Sequence, residues 1–528
     1  MRTFVWPSPV LPRIASRHAY ATSRSQDKRL MAKRQSSLHA RTSSSLFVSF
    51  SKVSSLAAMS ANPDADVSPL PSNKRPRLND DAFTGLSQPP TPPPPTGIYL
   101  APMVRGSELA MRELAHKHGG ASLCYGPMLR DYEVVAVHEL WQNQKRRPEM
   151  NNNGANESGG KKGTATIDIW SRDVPMDKAG RVMNDLSETA YLLLHDTNAT
   201  DATNLVVQLC GSKPSKLGAA TSAILDLYAN VHDGQLPVGI DLNLGCPQNC
   251  ADRGNFGAFL VERDRNGAVE CIAAMRKAIE EFCINSTNNG IEIKGHRPRL
   301  SAKIRLLETV EATIDFCRKL RKAGCDSIAI HCRRRTDKHD GPPDWVAGAK
   351  LVAAMEGFPI ILNGGILDVK GAQSVIGQTK CHAVMVAQGY LQNHRIFLDK
   401  DDICNDKFAT SPAHLAAEYL EYAEQHPPPC YLYLQKHLRW IFRKELQPED
   451  ELNIDYSDWR PRLWGFLVRS YLRTVEQCRL VVALYVKLSM EVGCSKDSAY
   501  ATPTSIEHLV KDVTFKSVKM AGRANPER

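Results

Sequence analysis

Apolar residues along the middle of this chain change their period at regular intervals. Short runs of alternating or continuous apolar positions, the signature of strands, occur at Ile98–Ala101, Ala121–Tyr125, Leu205–Cys210, Gly239–Leu244, Leu300–Leu306, Ser327–Cys332, Pro359–Asn363 and Ala383–Ala387. Between most of them lie segments with three-to-four-residue spacing, such as Ser107–His118, Ser215–Val231, Asn266–Phe282, Thr309–Lys322 and Asp368–Ile376. Strand and helix in alternation predict parallel strands joined by right-handed crossovers. Eight such units predict an α/β fold of the (β/α)8 TIM-barrel type, with a doubly wound sheet as the competing architecture. The barrel is favoured because polar residues with chemical potential fall at strand ends: Pro102 and Met103, Gln208, Asn243 to Cys246, Lys303, His331, Asn363 to Gly365, Gln388 and Gly389. In barrels the C-terminal rim is the working face.

The flanks read differently. Residues 1–97 are predicted to be a disordered leader and linker. Up to about residue 60 they are rich in Arg, Ser and Ala, with Asp27 the sole acid before Asp64. That composition suits a mitochondrial transit peptide, or else a basic leader or sequence upstream of a start at Met59. A Pro-rich stretch ends at Pro95, and Lys74-Arg75-Pro76-Arg77 within it has the form of a nuclear address. The barrel is expected over 98–405, interrupted by a polar, low-complexity insert at about 142–200. Residues 406–500 show helical spacing and few glycines, which predicts a small all-α helical domain, followed by a basic tail over 501–528. In Leu434–Leu446 the apolar Leu434, Leu438 and Ile441 share one side, while Lys436, Arg439 and Arg443 share another. Such a basic face is ordinarily a solvated helix surface.

Charge and cysteine content narrow the function class. The 528 residues carry a formal charge of +10, and the pI is near 8.9, which favours a polyanionic partner. Fourteen cysteines are scattered without a pair of C-x-x-C motifs, so no metal site is expected and a reducing compartment is. The longest apolar stretch, Leu480–Met490, is too short to span a bilayer and contains Lys487, so no membrane association is expected.

The most distinctive stretch is Gly239-Ile240-Asp241-Leu242-Asn243-Leu244-Gly245-Cys246-Pro247. It predicts a strand that runs into a tight turn presenting a thiol. A single cysteine is usually inert packing. Here it is followed by a second glycine-bearing segment, Ala251-Asp252-Arg253-Gly254-Asn255-Phe256-Gly257-Ala258. The run from Asp241 to Leu260 resembles the signature of the tRNA-dihydrouridine synthases, D-x-N-x-G-C-P followed by a basic-glycine segment and G-A. The resemblance extends from Tyr99 to about Glu445 and is strongest at Ala101-Pro102-Met103-Val104, Ser107-Glu108-Leu109-Ala110, Leu123–Met128, Val207-Gln208-Leu209-Cys210, Ala302-Lys303-Ile304-Arg305 and Leu362-Asn363-Gly364-Gly365-Ile366. In detail it is closest to the eukaryotic branch that modifies D-loop positions 16 and 17. Two departures stand out: Cys332 takes the place of the glycine in the family's H-G-R-T, and His394 that of the proline after strand eight.

This resemblance implies reduction of the uridine C5=C6 bond, with FMN as hydride donor, NADPH or NADH as reductant and Cys246 as proton donor. A free thiol is protonated at neutral pH and suits that role. The implied cofactor contacts are Pro102, Met103, Val104, Gln208, Lys303, His331, Asn363, Gly364, Gly365, Gln388 and Gly389. Lys303 faces the flavin's polar edge, and the glycine turns after strands seven and eight cradle the phosphate. Asn243, Arg253, Lys436, Arg439 and Arg443 are expected to meet the tRNA. A monomer acting in the cytoplasm or nucleus is expected, with mitochondrial targeting through the leader. The alternatives are a barrel flavoprotein reducing a small pyrimidine-like substrate, or a tRNA-binding protein without catalysis.

Overall fold

In the computed structural model the described residues are 94–145, 185–288, 293–338, 340–397, 411–449, 454–455, 457–469, 472–491 and 503–521, all within one compact unit, Gln88–Arg528. The predicted leader, most of the Pro-rich linker and the low-complexity stretch 150–163 lie outside the described residues.

Nine strands form one all-parallel sheet: β1 (Gly97–Leu100), β2 (Ala121–Tyr125), β3 (Leu129–Arg130), β4 (Leu205–Cys210), β5 (Gly239–Leu244), β6 (Arg299–Leu306), β7 (Ser327–Arg334), β8 (Ile360–Asn363) and β9 (Ala383–Val386). Their order is β2-β1-β9-β8-β7-β6-β5-β4-β3, and β2 also pairs with β4, which closes the sheet into a barrel. Both β2 and β3 pair with β4, so β3 is a continuation of the second strand after the Gly126-Pro127-Met128 break. The structure is therefore the eight-stranded barrel, not the doubly wound sheet.

Strand parity sorts side chains into two cores. Ile240, Leu242 and Leu244 of β5, Leu300, Ala302 and Ile304 of β6, and Ile328 and Ile330 of β7 face the surrounding helices in the main apolar cluster. Tyr99, Leu123, Tyr125, Val206, Ala329, Ile361, Ala383 and Met385 form a smaller cluster of the opposite parity, which fills the barrel interior. The interior thins out on the β4–β6 side, where the same parity carries Gln208, Asp241, Asn243, Ser301, Lys303 and Arg305.

The far end of the expected insert is folded. Asp185–Leu194 is a helix whose Leu192, Leu193 and Leu194 join the main core. Asp196 and Asp201, just beyond it, hold the buried Arg112 at 3.0 and 2.8 Å. The polar spacing around 195–201 conceals this role because the cation that both carboxylates meet lies 84 and 89 positions away in the chain.

The C-terminal helices, among them Pro412–Gln425, Tyr431–Ile441, Trp459–Arg469 and Val475–Glu491, surround their own core, to which Ala110 and Leu114 of the barrel helix Leu109–Lys117 contribute. Polar ties reinforce this seam. Glu418 binds His394 and Arg395, and buried Glu108 accepts from Tyr419 at 2.9 Å with His437 Nε2 2.8 Å away. His394, a departure from the family pattern, is thus an anchor for the helical domain.

Candidate active site at the barrel mouth

The turn bearing Cys246 is held from three sides. Asn243 Oδ1 accepts the backbone N–H groups of Gly245 (3.1 Å) and Cys246 (3.0 Å). Arg305 Nε donates to the carbonyl of Gly245 at 2.9 Å. Gly257, at φ +64°, packs against Cys246 so closely that an added Cβ would lie 2.8 Å from the Cys246 carbonyl. The second glycine segment of the signature is thus the back wall of the first. The thiol stays half-buried rather than enclosed. Burial pushes its pKa up, only partly opposed by a backbone hydrogen bond at Gln248 and by the Arg305 charge, so Cys246 is a protonated thiol at neutral pH.

A hydrogen-bond chain runs from this turn to the barrel interior. Asn243 Nδ2 donates to Gln208 Oε1 (3.0 Å), and Gln208 Nε2 donates to Asp241 Oδ2 (2.8 Å). Ser301 Oγ donates to the other Asp241 oxygen at 2.6 Å. Gln208, Asp241 and Ser301 are register partners on β4, β5 and β6, which is why a single polar layer forms. Asp241 is fully buried, and burial raises its pKa to about 6 against the two hydrogen bonds. Gln208 and Asn243 therefore have their polar atoms committed to the protein's own scaffold: they fix the thiol turn.

Lys303 is the register partner of Asn243 on β6, one strand from the thiol turn and on the inward parity. Among the described residues it has no hydrogen-bond or ion-pair partner. Burial, with the nearby Arg305, lowers its pKa to about 8. The buried Asp241 carboxylate pulls the other way without bonding to it, and a lysine in a barrel mouth with no bonded counter-charge suits a ligand that brings electron-rich atoms to it.

The opposite side of the rim is built around a glycine turn. Gly364 and Gly365 have φ of +129° and +61°. A Cβ on Gly364 would lie 3.0 Å from His331 and 3.3 Å from Arg333 Nη1, and one on Gly365 would lie 2.9 Å from Pro343. Arg333 Nη1 lies 3.1 Å from His331 Nε2. Arginine only donates, so that ring nitrogen is the acceptor and carries no proton. A left-handed glycine pair backed by a guanidinium suits a phosphate. Asn363 Nδ2 donates to the Met385 carbonyl at 2.7 Å, so its side chain ties β8 to β9. Gln388 is exposed at the start of the helix Gln388–Gln392, and Gly389 is buried, its missing Cβ making room for Val386 and Ile396. Cys332 points outward into the main core, with Sγ 3.2 Å from the position a Gly348 Cβ would take, so that substitution is remote from the mouth.

Pro102, Met103 and Val104 leave β1 in a turn closed by Gly106 N–H to the Met103 carbonyl (3.0 Å) and by Ser107 Oγ on Met103. Lys436, expected on an RNA-facing surface, instead donates to the Val104 carbonyl at 2.5 Å. It ties the helical domain to this loop. Arg439 is exposed. Arg443 stacks over Trp440, 4.8 Å from the ring centroid, and donates to Gln447. Arg479, on the helix Val475–Glu491, is spent on Glu424 at 2.7 Å. Arg253 is exposed on the helix Asn249–Gly254, next to the thiol turn.

Sequence reasoning passed over Arg305 and Arg333 as site residues. Each stands two positions beyond a residue it singled out, Lys303 and His331, on the same strand and hence on the same inward parity. That alternation was the available signal.

A sequence model of one family, described as dihydrouridine synthase, matches residues 183–453, about half of the chain. Curated relatives include a mouse "tRNA-dihydrouridine(16/17) synthase [NAD(P)(+)]-like" protein, 28% identical over 359 residues, which are 67% of this chain and 56% of the relative. A fission-yeast (Schizosaccharomyces pombe) "tRNA-dihydrouridine(16/17) synthase [NAD(P)(+)]" is 27% identical over 302 residues, 57% of this chain and 56% of the relative. A human "tRNA-dihydrouridine(20a/20b) synthase [NAD(P)+]-like" protein is 26% identical over 344 residues, 65% of this chain and 81% of the relative. The chain thus matches little more than half the length of the mouse and fission-yeast relatives. Among solved structures, an old yellow enzyme homologue from Zymomonas mobilis aligns over 59% of this chain and 88% of its own at 12% identity, with a TM-score of 0.32, a likeness too loose to carry weight.

Proposed function

Because this chain belongs to the dihydrouridine synthase family, we propose that it reduces the C5=C6 bond of uridine in the tRNA D-loop, at positions 16 and 17, using FMN and NADPH. The observation that carries this reading is the pairing of a half-buried, protonated Cys246 on a rigid turn with Lys303 one strand away, which among the described residues makes no hydrogen bond or ion pair.

The residues present fit FMN. Lys303 would meet its electron-rich ring edge, and Gly364, Gly365 and Arg333 would hold its phosphate. Val104 and Met103 border the same mouth. When bound, FMN supplies the hydride for uracil C6, which no side chain can. Everything else falls to the protein. The Cys246 thiol gives its proton to C5 as a general acid, and its raised pKa keeps that proton in place until the base arrives. Asn243 and Arg305 hold the sulfur at a constant place by fixing the backbone on either side of Gly245. Lys303 stabilises negative charge that develops opposite the thiol. A uridine within a folded tRNA must swing out of its stack to reach this mouth, and Arg253 and Arg439, both exposed, would hold phosphates outside it. The same-numbered activity in the names of the mouse and fission-yeast relatives supports the choice of positions 16 and 17.

Per-site mapping of dihydrouridine in tRNA from cells with and without the protein tests the proposal. Loss at positions 16 and 17 is expected. An unchanged map would remove the tRNA reading, and a colourless purified protein that no FMN reconstitutes would remove the flavin.

A further inference from the structure

Beside the thiol turn, outside the barrel axis, the rim has a second recess. It lies between the ends of β3 and β4 and the helix Asn249–Gly254 and measures about 440 Å³, enough for one nucleotide. Arg130, Lys213, Lys216 and Arg253 line it. Arg130 binds Glu133 at 2.7 Å. Among the described residues Lys213, Lys216 and Arg253 form no ion pair, and Lys213 and Lys216 feel the Asp131 carboxylate only at a distance, whereas cations near this rim such as Arg263 and Arg335 are paired directly with Asp252 and Glu262. Spaced surface lysines are usually just solvated. Three cations converging on one concavity against the single buried carboxylate of Asp131 are a different case, because the excess positive charge is relieved by an anion seated among them.

Two further features say what kind of anion. Tyr132 stands at the recess 53% exposed, a platform for an aromatic base. The single carboxylate in the wall, Asp131, is 6% exposed. One of its oxygens accepts the Tyr132 N–H at 2.8 Å, and the other lies where a Gly211 Cβ would be 2.3 Å away, so Gly211 is the residue that admits it. A buried acceptor beside cations suits a sugar hydroxyl. The recess also shares a wall with the reaction centre: Phe256 lines it and packs in one apolar cluster with Cys210 and Cys246.

We infer that this recess holds a nucleotide flanking the reacting uridine, with its phosphate among Lys213, Lys216 and Arg253, its base on Tyr132 and its ribose hydroxyl towards Asp131. The inference rests on the reading of Cys246 as the proton donor to a flipped uridine. A base drawn out of its stack brings its own phosphates and a neighbour to the rim, and this is the charged concavity on the thiol's side.

The test is tRNA affinity by fluorescence anisotropy at several salt concentrations. Lys213→Ala with Lys216→Ala, both exposed, should weaken binding about tenfold near physiological salt and reduce the slope of log K against log salt by about 1.5, as expected for two lost phosphate contacts. Tyr132→Ala should weaken binding with little change in slope, as expected for lost stacking. A double variant on another helix, Lys319→Ala with Lys322→Ala, supplies the comparison. Equal weakening in both lysine pairs would overturn the site, as would unchanged tRNA binding in the first pair. Weakened NADPH affinity with intact tRNA binding would also overturn it. A wild-type protein that binds no tRNA would instead sink the proposed function, a distinguishable result.

Discussion

The thiol turn and the helical domain's basic face are both polar surfaces near one barrel mouth, yet they are built in opposite ways. Around Cys246 nearly every polar atom is committed: Asn243, Gln208, Asp241, Ser301 and Arg305 bind one another or the backbone, and Lys303 stands apart with no hydrogen bond or ion pair among the described residues. On the helix Tyr431–Ile441 and its continuation the cations divide their duties. Lys436 is a strut to Val104, Arg443 lies on Trp440, and Arg439 is left to solvent. The difference teaches that a site for bond-making, as proposed for Cys246, needs a rigid frame, because one reacting atom has to meet another at a fixed distance. A surface for phosphates tolerates looser placement, since charge attraction varies slowly with distance.

Four experiments would break or sharpen this contrast. The largest effect is expected at Cys246. Cys246→Ala should lower uridine reduction by about 10² to 10⁴-fold, the usual worth of a general acid, with NADPH-driven bleaching of the flavin retained; a variant that still makes dihydrouridine at the wild-type rate would remove the thiol from the mechanism. Next is the frame. Asn243→Ala leaves two backbone N–H groups and the Gln208 carbonyl without a partner, which should cost about 1–3 kcal/mol of stability and lower turnover at unchanged tRNA affinity. A melting curve and a single-turnover assay read the two effects separately.

Lys303 gives the third. Its ammonium is present below a pKa of about 8 and is lost above it. FMN affinity should therefore fall as pH rises through about 8, and Lys303→Met should bind FMN more weakly and without that inflection; titration of flavin fluorescence at stepped pH measures both. A pH-independent affinity in the wild type would mean that Lys303 does not face the flavin. The smallest effect belongs to the helical face. Arg439→Ala should weaken tRNA binding about two- to fivefold and reduce the salt slope by under one contact. Lys436→Ala should act differently, by loosening the Pro102–Gly106 loop, so its signature is weaker FMN retention rather than a changed salt slope.

Much of the barrel could be read in advance, and the reason is periodicity. A strand buried on both faces and a helix buried on one impose different repeats, and those repeats survive whatever the loops do. The expected strand over Gly239–Leu244 and the helix over Ser215–Val231 are each found within a residue of their expected limits. The thiol turn was legible for a second reason: its contacts are local. Asn243 caps residues two and three positions on, and Gly257 closes the wall only eleven positions later. Other features depend on distant partners and leave no such trace. His437 and Glu108 meet across more than 300 positions, as do Lys436 and Val104.

The sequence alone therefore determined the architecture and singled out the turn that presents Cys246, because hydrophobic period and short-range turn chemistry are written in neighbouring residues. Only the tertiary structure decided what each charged side chain is for. A lysine reads the same whether it ends beside a carbonyl, a carboxylate or open solvent. What separates Lys303, Lys436 and Lys213 is which strand, loop or recess the closed barrel brings within 3 to 4 Å of each, a distance over which hydrogen bonds and ion pairs form or fail.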